Sequence, residues 1–275
     1  MPALKRALAR PLRAITWGGV VLGVLLVAGL AMMLVNDHHR RLEAAQRQSR
    51  ALAVGSERLL ALQLRNLERA MGGISADAAE LFRSVPAQAP RLLDAAVAGV
   101  LQRHAELHSI VVLDSYGRAL TAGQGDLQLP LWTDPQRRGP GSALYIGPPQ
   151  RGSDDGWVVP LALPLDDDRW LLARLRCGEL QRIIGGLDVG PNGLVSISDA
   201  EGYMLARVPD PHGTVGHRYA LPGRDLLGRQ AVIELGNMPG VVDGVPRITT
   251  ISTLERNPLA VQVGLAEKDV LAPWW

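Results

Sequence analysis

The sequence predicts an α+β protein: an N-terminal transmembrane helix, a long helix, and then two successive modules, each with a roughly five-stranded antiparallel sheet. Three observations predict it. An uncharged apolar run of 22 residues lies near the N-terminus, at Ala14–Val35. Residues 36–74 contain no Pro, and their apolar positions recur at helical spacing. From Ser109 onward, short apolar segments alternate with turn residues, and one strand–turn–strand phrase occurs twice.

The run AITWGGVVLGVLLVAGLAMMLV gives about 33 Å of helix at about 1.5 Å per residue, enough for a hydrocarbon core of about 30 Å. A cleaved signal peptide has a shorter apolar region and a small-residue cleavage site. Here Met32-Met33-Leu34-Val35 and Asn36-Asp37-His38-His39 follow instead, which favours an uncleaved anchor. Residues 1–13 carry Lys5, Arg6, Arg10 and Arg13, and the stretch after the span carries Arg40, Arg41, Arg47 and Arg50. The charge rule is therefore nearly tied. A short tail before a first span usually stays cytoplasmic, which would place the bulk of the chain outside.

The net charge of +2 belongs to the tail: the other residues are 25 basic against 27 acidic. This argues against nucleic-acid binding. Cys177 stands alone, so neither an intramolecular disulfide nor a cysteine-based zinc cluster is available.

In the long helix, Leu42, Ala45, Ser49, Leu52, Ser56, Leu60, Leu64, Leu67, Met71 and Ile74 form one stripe. It serves either packing on the chain's own domain or a parallel dimer seam near the membrane. A second helix is expected from Pro90, a good first-turn residue, to about Leu107, with Leu93, Val97, Val100, His104 and Leu107 on one face. His104 and His108 stand four apart, but HAELH is not H-E-x-x-H, so His104 is expected in the core.

SIVVLDSYGRALTA reads as strand, D-x-x-G turn, strand; GSALYIG, GWVVPLALPL and RWLLARLR supply three more strands. Asp166-Asp167-Asp168 makes a solvated hairpin tip. LVSISDAEGYMLAR then repeats the design of IVVLDSYGRAL, with Asp199 and Gly202 matching Asp114 and Gly117. Asp bonds back to the turn backbone and Gly takes the positive φ a tight hairpin requires. QAVIEL, RITTISTL and PLAVQVGL complete a second sheet, and GLDVGPNG (186–193) is the joint. No nucleophile elbow and no credible phosphate loop appear.

In this order, VVLDSYGRAL, LYIGPP, GWVVPLALPL, GLVSISDAEGYMLAR, VDGVPRI and PLAVQVGLAEKDVLAPW resemble the double Cache (PAS-like) extracytoplasmic sensors of bacteria, most of all the N-terminal region of GGDEF-type diguanylate cyclases. The resemblance covers about residues 40–273. It implies a cytoplasmic tail (1–13), the transmembrane helix (14–35), a long helix plus membrane-distal Cache module (36–188), a membrane-proximal module (189–268) and the start of an outgoing helix (269–275). It implies a small-molecule ligand, a homodimer, and a cytoplasmic output in cyclic-di-GMP synthesis or turnover. These 275 residues contain no second span, no GGDEF or EAL signature and no kinase histidine box, so no enzymatic activity or cofactor is expected of them; the output is expected past Trp275.

PAS-like sheets bind ligands between a sheet face and a covering loop. That loop is expected at about 124–142, with Trp132, Asp134, Arg137 and Arg138. Trp132, Arg137, Arg138, Tyr145 and Trp157 are the candidate ligand-binding residues: rings stack on or enclose a ligand, and guanidinium groups grip a carboxylate. Amino-acid specificity does not carry over, because LPLWTDPQRRGPGSALYIG replaces the R-x-Y-style stretch. Arg207 is expected in a strand-end salt bridge. Two other classes compete: a single-span envelope interaction protein without enzymatic output, and a periplasmic hydrolase.

Overall fold

The computed structural model describes residues 2–122, 141–166, 169–220 and 222–272. Helix α1 runs without interruption over Pro2–Ser84, so the apolar run and the long helix are one element. Nothing in Asn36-Asp37-His38-His39 breaks a helix, and Asp37 accepts a 2.9 Å hydrogen bond from Arg41 one turn later, a spacing that supports the helix. Leu22, Leu25, Leu26, Val27, Met32 and Val35 are exposed. This one helix is long and apolar enough to cross a membrane.

From Ala45 onward α1 buries a stripe: Ala45, Ser49, Ala53, Ser56, Leu60, Leu64, Leu67, Met71, Ile74 and Ala78. The small residues toward its N-terminal end let a sheet approach closely, and Ser49 Oγ donates a 3.0 Å bond to the Val263 carbonyl. The stripe is therefore consumed by packing within the chain and is not free to form a dimer seam. Helix α2 (Ala89–Arg103) has Pro90 in its first turn and buries Leu93, Val97 and Val100. It stops short of Leu107, because that residue opens a strand. His104 is thus the helix cap, half-buried rather than core, with Nδ1 2.9 Å from Glu106 Oε1.

The distal sheet holds β1 (Leu107–Asp114), β2 (Tyr145–Ile146), β3 (Gln150–Arg151), β4 (Trp157–Pro164) and β5 (Arg169–Arg176), in the order β1-β5-β4-β2 with β3 also on β4. Pro148-Pro149 divides β2 from β3, since Pro cannot donate to a ladder. The expected strand after Tyr116 is reduced to a single bridge between Leu113 and Ala119. Side chains take the backbone's partners there: the Val112 N–H donates to Thr121 Oγ1 (2.9 Å) and the Ala122 N–H to Asp94 Oδ1 (2.8 Å). At the hairpin tip, Asp166 pairs with Arg169; Asp167 and Asp168 lie outside the described residues.

Helix α3 (Cys177–Gly185), not foreseen from sequence, precedes the second sheet. That sheet contains β6 (Leu194–Asp199), β7 (Met204–Val208), β8 (Ala231–Pro239), β9 (Pro246–Thr253) and β10 (Leu259–Ala266), in the order β7-β6-β10-β9-β8. Counting the Ala119 bridge as a second strand, both sheets have the order 2-1-5-4-3. The two sheets are tandem PAS-like modules of an α+β chain.

The repeated turn is real in atomic detail. Asp114 Oδ1 accepts from the Tyr116 and Arg118 N–H groups, and Asp199 Oδ1 from those of Glu201 and Tyr203, all at 2.8–2.9 Å. Gly117 and Gly202 have φ of 83° and 86°. A continuous apolar core joins α1, α2, α3 and the inner faces of both sheets. The short helix α4 (Glu267–Leu271) leaves the second sheet; Pro273, Trp274 and Trp275 lie outside the described residues.

Candidate functional site

Residues directly opposite one another in neighbouring strands share a face, so the register sorts the distal sheet. Tyr145 faces Ala162, Ala162 faces Leu172, and Leu172 faces Val111. Trp170 faces Pro164 and Leu113, and Arg174 faces Pro160 and Ser109. This is the outer face, turned away from α1. It carries a buried cluster of Val111, Leu113, Ala162 and Leu172 with Tyr145 and Trp170 packed on it. The Tyr145 and Trp170 rings meet edge to face, centroids 5.6 Å apart. Arg174 stands on this apolar surface, with Arg176 further along held by the Ala105 and Leu107 carbonyls, and burial pulls the Arg174 pKa below the ordinary value. An apolar face with aromatic walls and one guanidinium can hold a small molecule with an anionic end.

Trp157 lies on the opposite face. Its ring stacks under the Arg151 guanidinium, 4.4 Å from the centroid, and meets the His217 ring at 6.4 Å. Gly216, with φ of 85°, sits against it so closely that a Cβ would overlap the ring. Tyr145 and Trp157, close in sequence, are thus separated by the sheet, and Trp157 joins the two modules. Trp132, Asp134, Arg137 and Arg138 lie outside the described residues. Trp170 and Arg174 were not among the candidates; the signal for them was the alternation in RWLLARLR, which puts 170, 172, 174 and 176 on one face.

The described residues on either side of 123–140 are tied to the scaffold. On the near side, Ala122 is held by Asp94 of α2. On the far side, Glu68 of α1 accepts from the Ala143 N–H (2.8 Å) and Ser142 Oγ (3.2 Å). Arg256, at the β9–β10 hairpin tip, donates to the Gly141 carbonyl and lies 3.6 Å from Glu68. One cluster therefore links the distal loop, α1 and the proximal module.

The proximal sheet's outer face is filled by its own loop. Arg207 and Arg247, each 5% exposed in the side chain, converge on Asp243. Arg247 is bidentate at 2.8 and 2.9 Å, and Arg207 adds a 2.7 Å bond. Hydrogen bonds from Arg247, followed by both positive charges, hold the Asp243 carboxyl well below the usual carboxylate range. Arg207 is thus in an ion pair, as expected from sequence. The remaining cavity, beside Ser196, Ser198, Tyr219 and Gln262, is about 40 Å³, room for about one water.

Hydrolytic chemistry has weak geometry. His108 Nε2 lies 3.2 Å from Ser153 Oγ, but Asp154 is 3.8 Å from Nδ1, too far for the bond that orients a catalytic histidine. Burial pushes the Cys177 thiol up to about 12, which leaves it unreactive. Among the described residues no three metal-ligating side chains converge.

No protein-family model matches the chain, and no curated protein matches it. Solved structures do. The ligand-binding domain of the Campylobacter jejuni chemoreceptor Tlp3, in complex with L-valine, is similar at 10% identity and TM-score 0.56, covering 85% of this chain and 97% of that one. That of the Pseudomonas fluorescens chemoreceptor CtaA, in complex with L-isoleucine, is similar at 14% identity and TM-score 0.54, covering 84% and 96%. The extracellular domain assigned to histidine kinase mmHK1S-Z2 aligns at 8% identity and TM-score 0.60, covering 83% and 99%. At such identities the likeness is one of fold: that of the extracellular and ligand-binding domains of these receptors.

Proposed function

We propose that this chain is the extracytoplasmic ligand-sensing region of a membrane-bound signal-transduction protein. The observation that carries the reading is the outer face of the distal sheet. Tyr145, Trp170 and Arg174 stand there on an apolar floor, next to a segment anchored to α1 and to the proximal module. The sensor domains of similar fold, two of them holding amino acids, support a small-molecule ligand. Trp132, Arg137 and Arg138 of the covering segment would close over it, and Arg174 would meet its anionic end.

Residues 14–35 form the membrane anchor, with the sensor in the periplasm and the module boundary near residue 188. Ligand binding acts through its differential affinity for two arrangements of the covering segment. A shift of Gly141–Ala143 pulls on Glu68 and Arg256, and so on α1 and the proximal hairpin together. The resemblance to GGDEF-type proteins makes cyclic-di-GMP turnover the favoured output. Its homodimer would pair the outward face of α1, where Leu59 is exposed.

The test is a thermal-shift screen of the full chain in detergent micelles against small carboxylates and amino acids. A hit should raise Tm, and Tyr145→Ala, Arg174→Ala and Arg137→Ala should each abolish the rise. A hit that all three variants retain refutes the site.

A further inference from the structure

A second cavity lies away from the distal sheet, between α1 and the β9–β10 hairpin tip. It has a volume of about 260 Å³ and is bounded by Glu57, Ala61, Arg65, Gln230, Glu255 and Asn257, with Arg58 at its edge. Glu57 is the unusual wall residue. It is 4% exposed, and its Oε2 is buried with no hydrogen-bond partner. A buried carboxylate oxygen without a donor is costly, and native structures rarely leave one so.

The surrounding charge is not committed elsewhere in the way that would satisfy it. Arg256 is engaged by Glu68 and the Gly141 carbonyl. Arg58 and Arg65 form no ion pair among the described residues, yet both act on Glu57 from a distance. Glu57, Arg58 and Arg65 of α1 and Glu255 of the hairpin therefore line one space, large enough for several waters at about 30 Å³ each.

We infer that this cavity is a binding site for a small organic zwitterion, whose ammonium group donates to Glu57 Oε2 while its carboxylate lies toward Arg58 and Arg65. The walls supply both halves of the recognition: a desolvated acceptor for the cation, and guanidinium forks for the anion. One wall is α1 itself, so occupancy bears on the same helix that both sheets pack against. The site stands independently of the distal one.

The probes are ω-amino acids of two to six carbons (glycine, β-alanine, γ-aminobutyrate, 6-aminohexanoate), each compared with the carboxylic acid of equal length lacking the amine. The full chain in detergent micelles should gain about 3 °C in Tm at a tenfold excess over Kd with at least one amino acid, and nothing with the matched acid. Glu57→Gln, which keeps the shape, and Ala61→Leu, which fills the space, should each remove the gain; Tyr145→Ala should keep it. Absence of any amine-dependent gain, or its survival in both α1 variants, overturns the assignment. A gain lost only in Tyr145→Ala belongs to the distal face and also counts against it.

Discussion

At the scale of single residues, the two D-x-x-G turns carry the same bonds in different surroundings. Asp199 is 3% exposed, so Asp199→Ala strands two half-buried N–H groups and should cost about 2 kcal/mol in urea unfolding. Asp114→Ala leaves its turn open to water and should cost less. Asp243 and Glu57 titrate with opposite sign. The folded pKa of Asp243 lies below its unfolded value, so its contribution is complete above about pH 4 and fades as pH falls from there. Asp243→Asn should flatten that acid limb, and Asp243→Ala, which leaves two buried guanidinium groups, should cost about 3 kcal/mol at neutral pH. Glu57 is raised, chiefly by burial, with Glu255 adding and Arg58 and Arg65 opposing. Its carboxyl therefore favours the fold at low pH, and that advantage is lost as pH rises through the folded value. Glu57→Gln should unfold at a higher temperature than the parent at pH 8 and at nearly the same temperature at pH 4.

At the scale of elements, α1 packs through a stripe that changes character along its length. Leu60, Leu67 and Met71 are fully buried in the core that joins both sheets, and Leu67→Ala should cost about 3 kcal/mol. Ser49→Ala removes only one hydroxyl bond, worth about 1 kcal/mol. Both are read from urea midpoints. The stripe was legible because each member obeys a 3/4 spacing, including the serines, which look polar in sequence but lie where sheet and helix nearly touch. Helix α3 was not legible: it is short, opens with Cys177-Gly178, and has only Cys177, Leu180 and Ile184 to mark a face. Nor was the loss of the second distal strand, where the Thr121 hydroxyl takes a backbone partner and Asp94 reaches in from α2. Tyr145 and Trp157 looked like neighbours because sequence distance does not tell which side of a strand faces which layer until register is known.

At the scale of the whole molecule, the two modules are joined by three devices: a shared core, the Trp157–Gly216 contact, and the Glu68–Arg256–Gly141 cluster. Gly216→Ala would drive a methyl group into the Trp157 ring and force the modules apart. Combined with Arg256→Ala, it should convert one cooperative unfolding transition into two, seen by calorimetry as a calorimetric enthalpy exceeding the van't Hoff value. Arg256→Ala alone should leave Tm within a few degrees while loosening the stretch from Gly141 to Ala143, read as faster amide exchange at Ala143.

The unbroken helix also has a mechanical consequence. From Leu22 to Ser84 it is 63 residues of one rod, roughly 95 Å long. From Ala45 onward it is clamped by the sheets, and residues 22–44 extend from that clamp as an arm of roughly 35 Å. Such a rod is a lever with a long free arm. A tilt of about 5° in the clamp sweeps the free end through about 3 Å, a displacement comparable to the helix shifts by which bistable interfaces switch. Small motions at a sheet are therefore magnified by geometry alone before they reach the apolar segment.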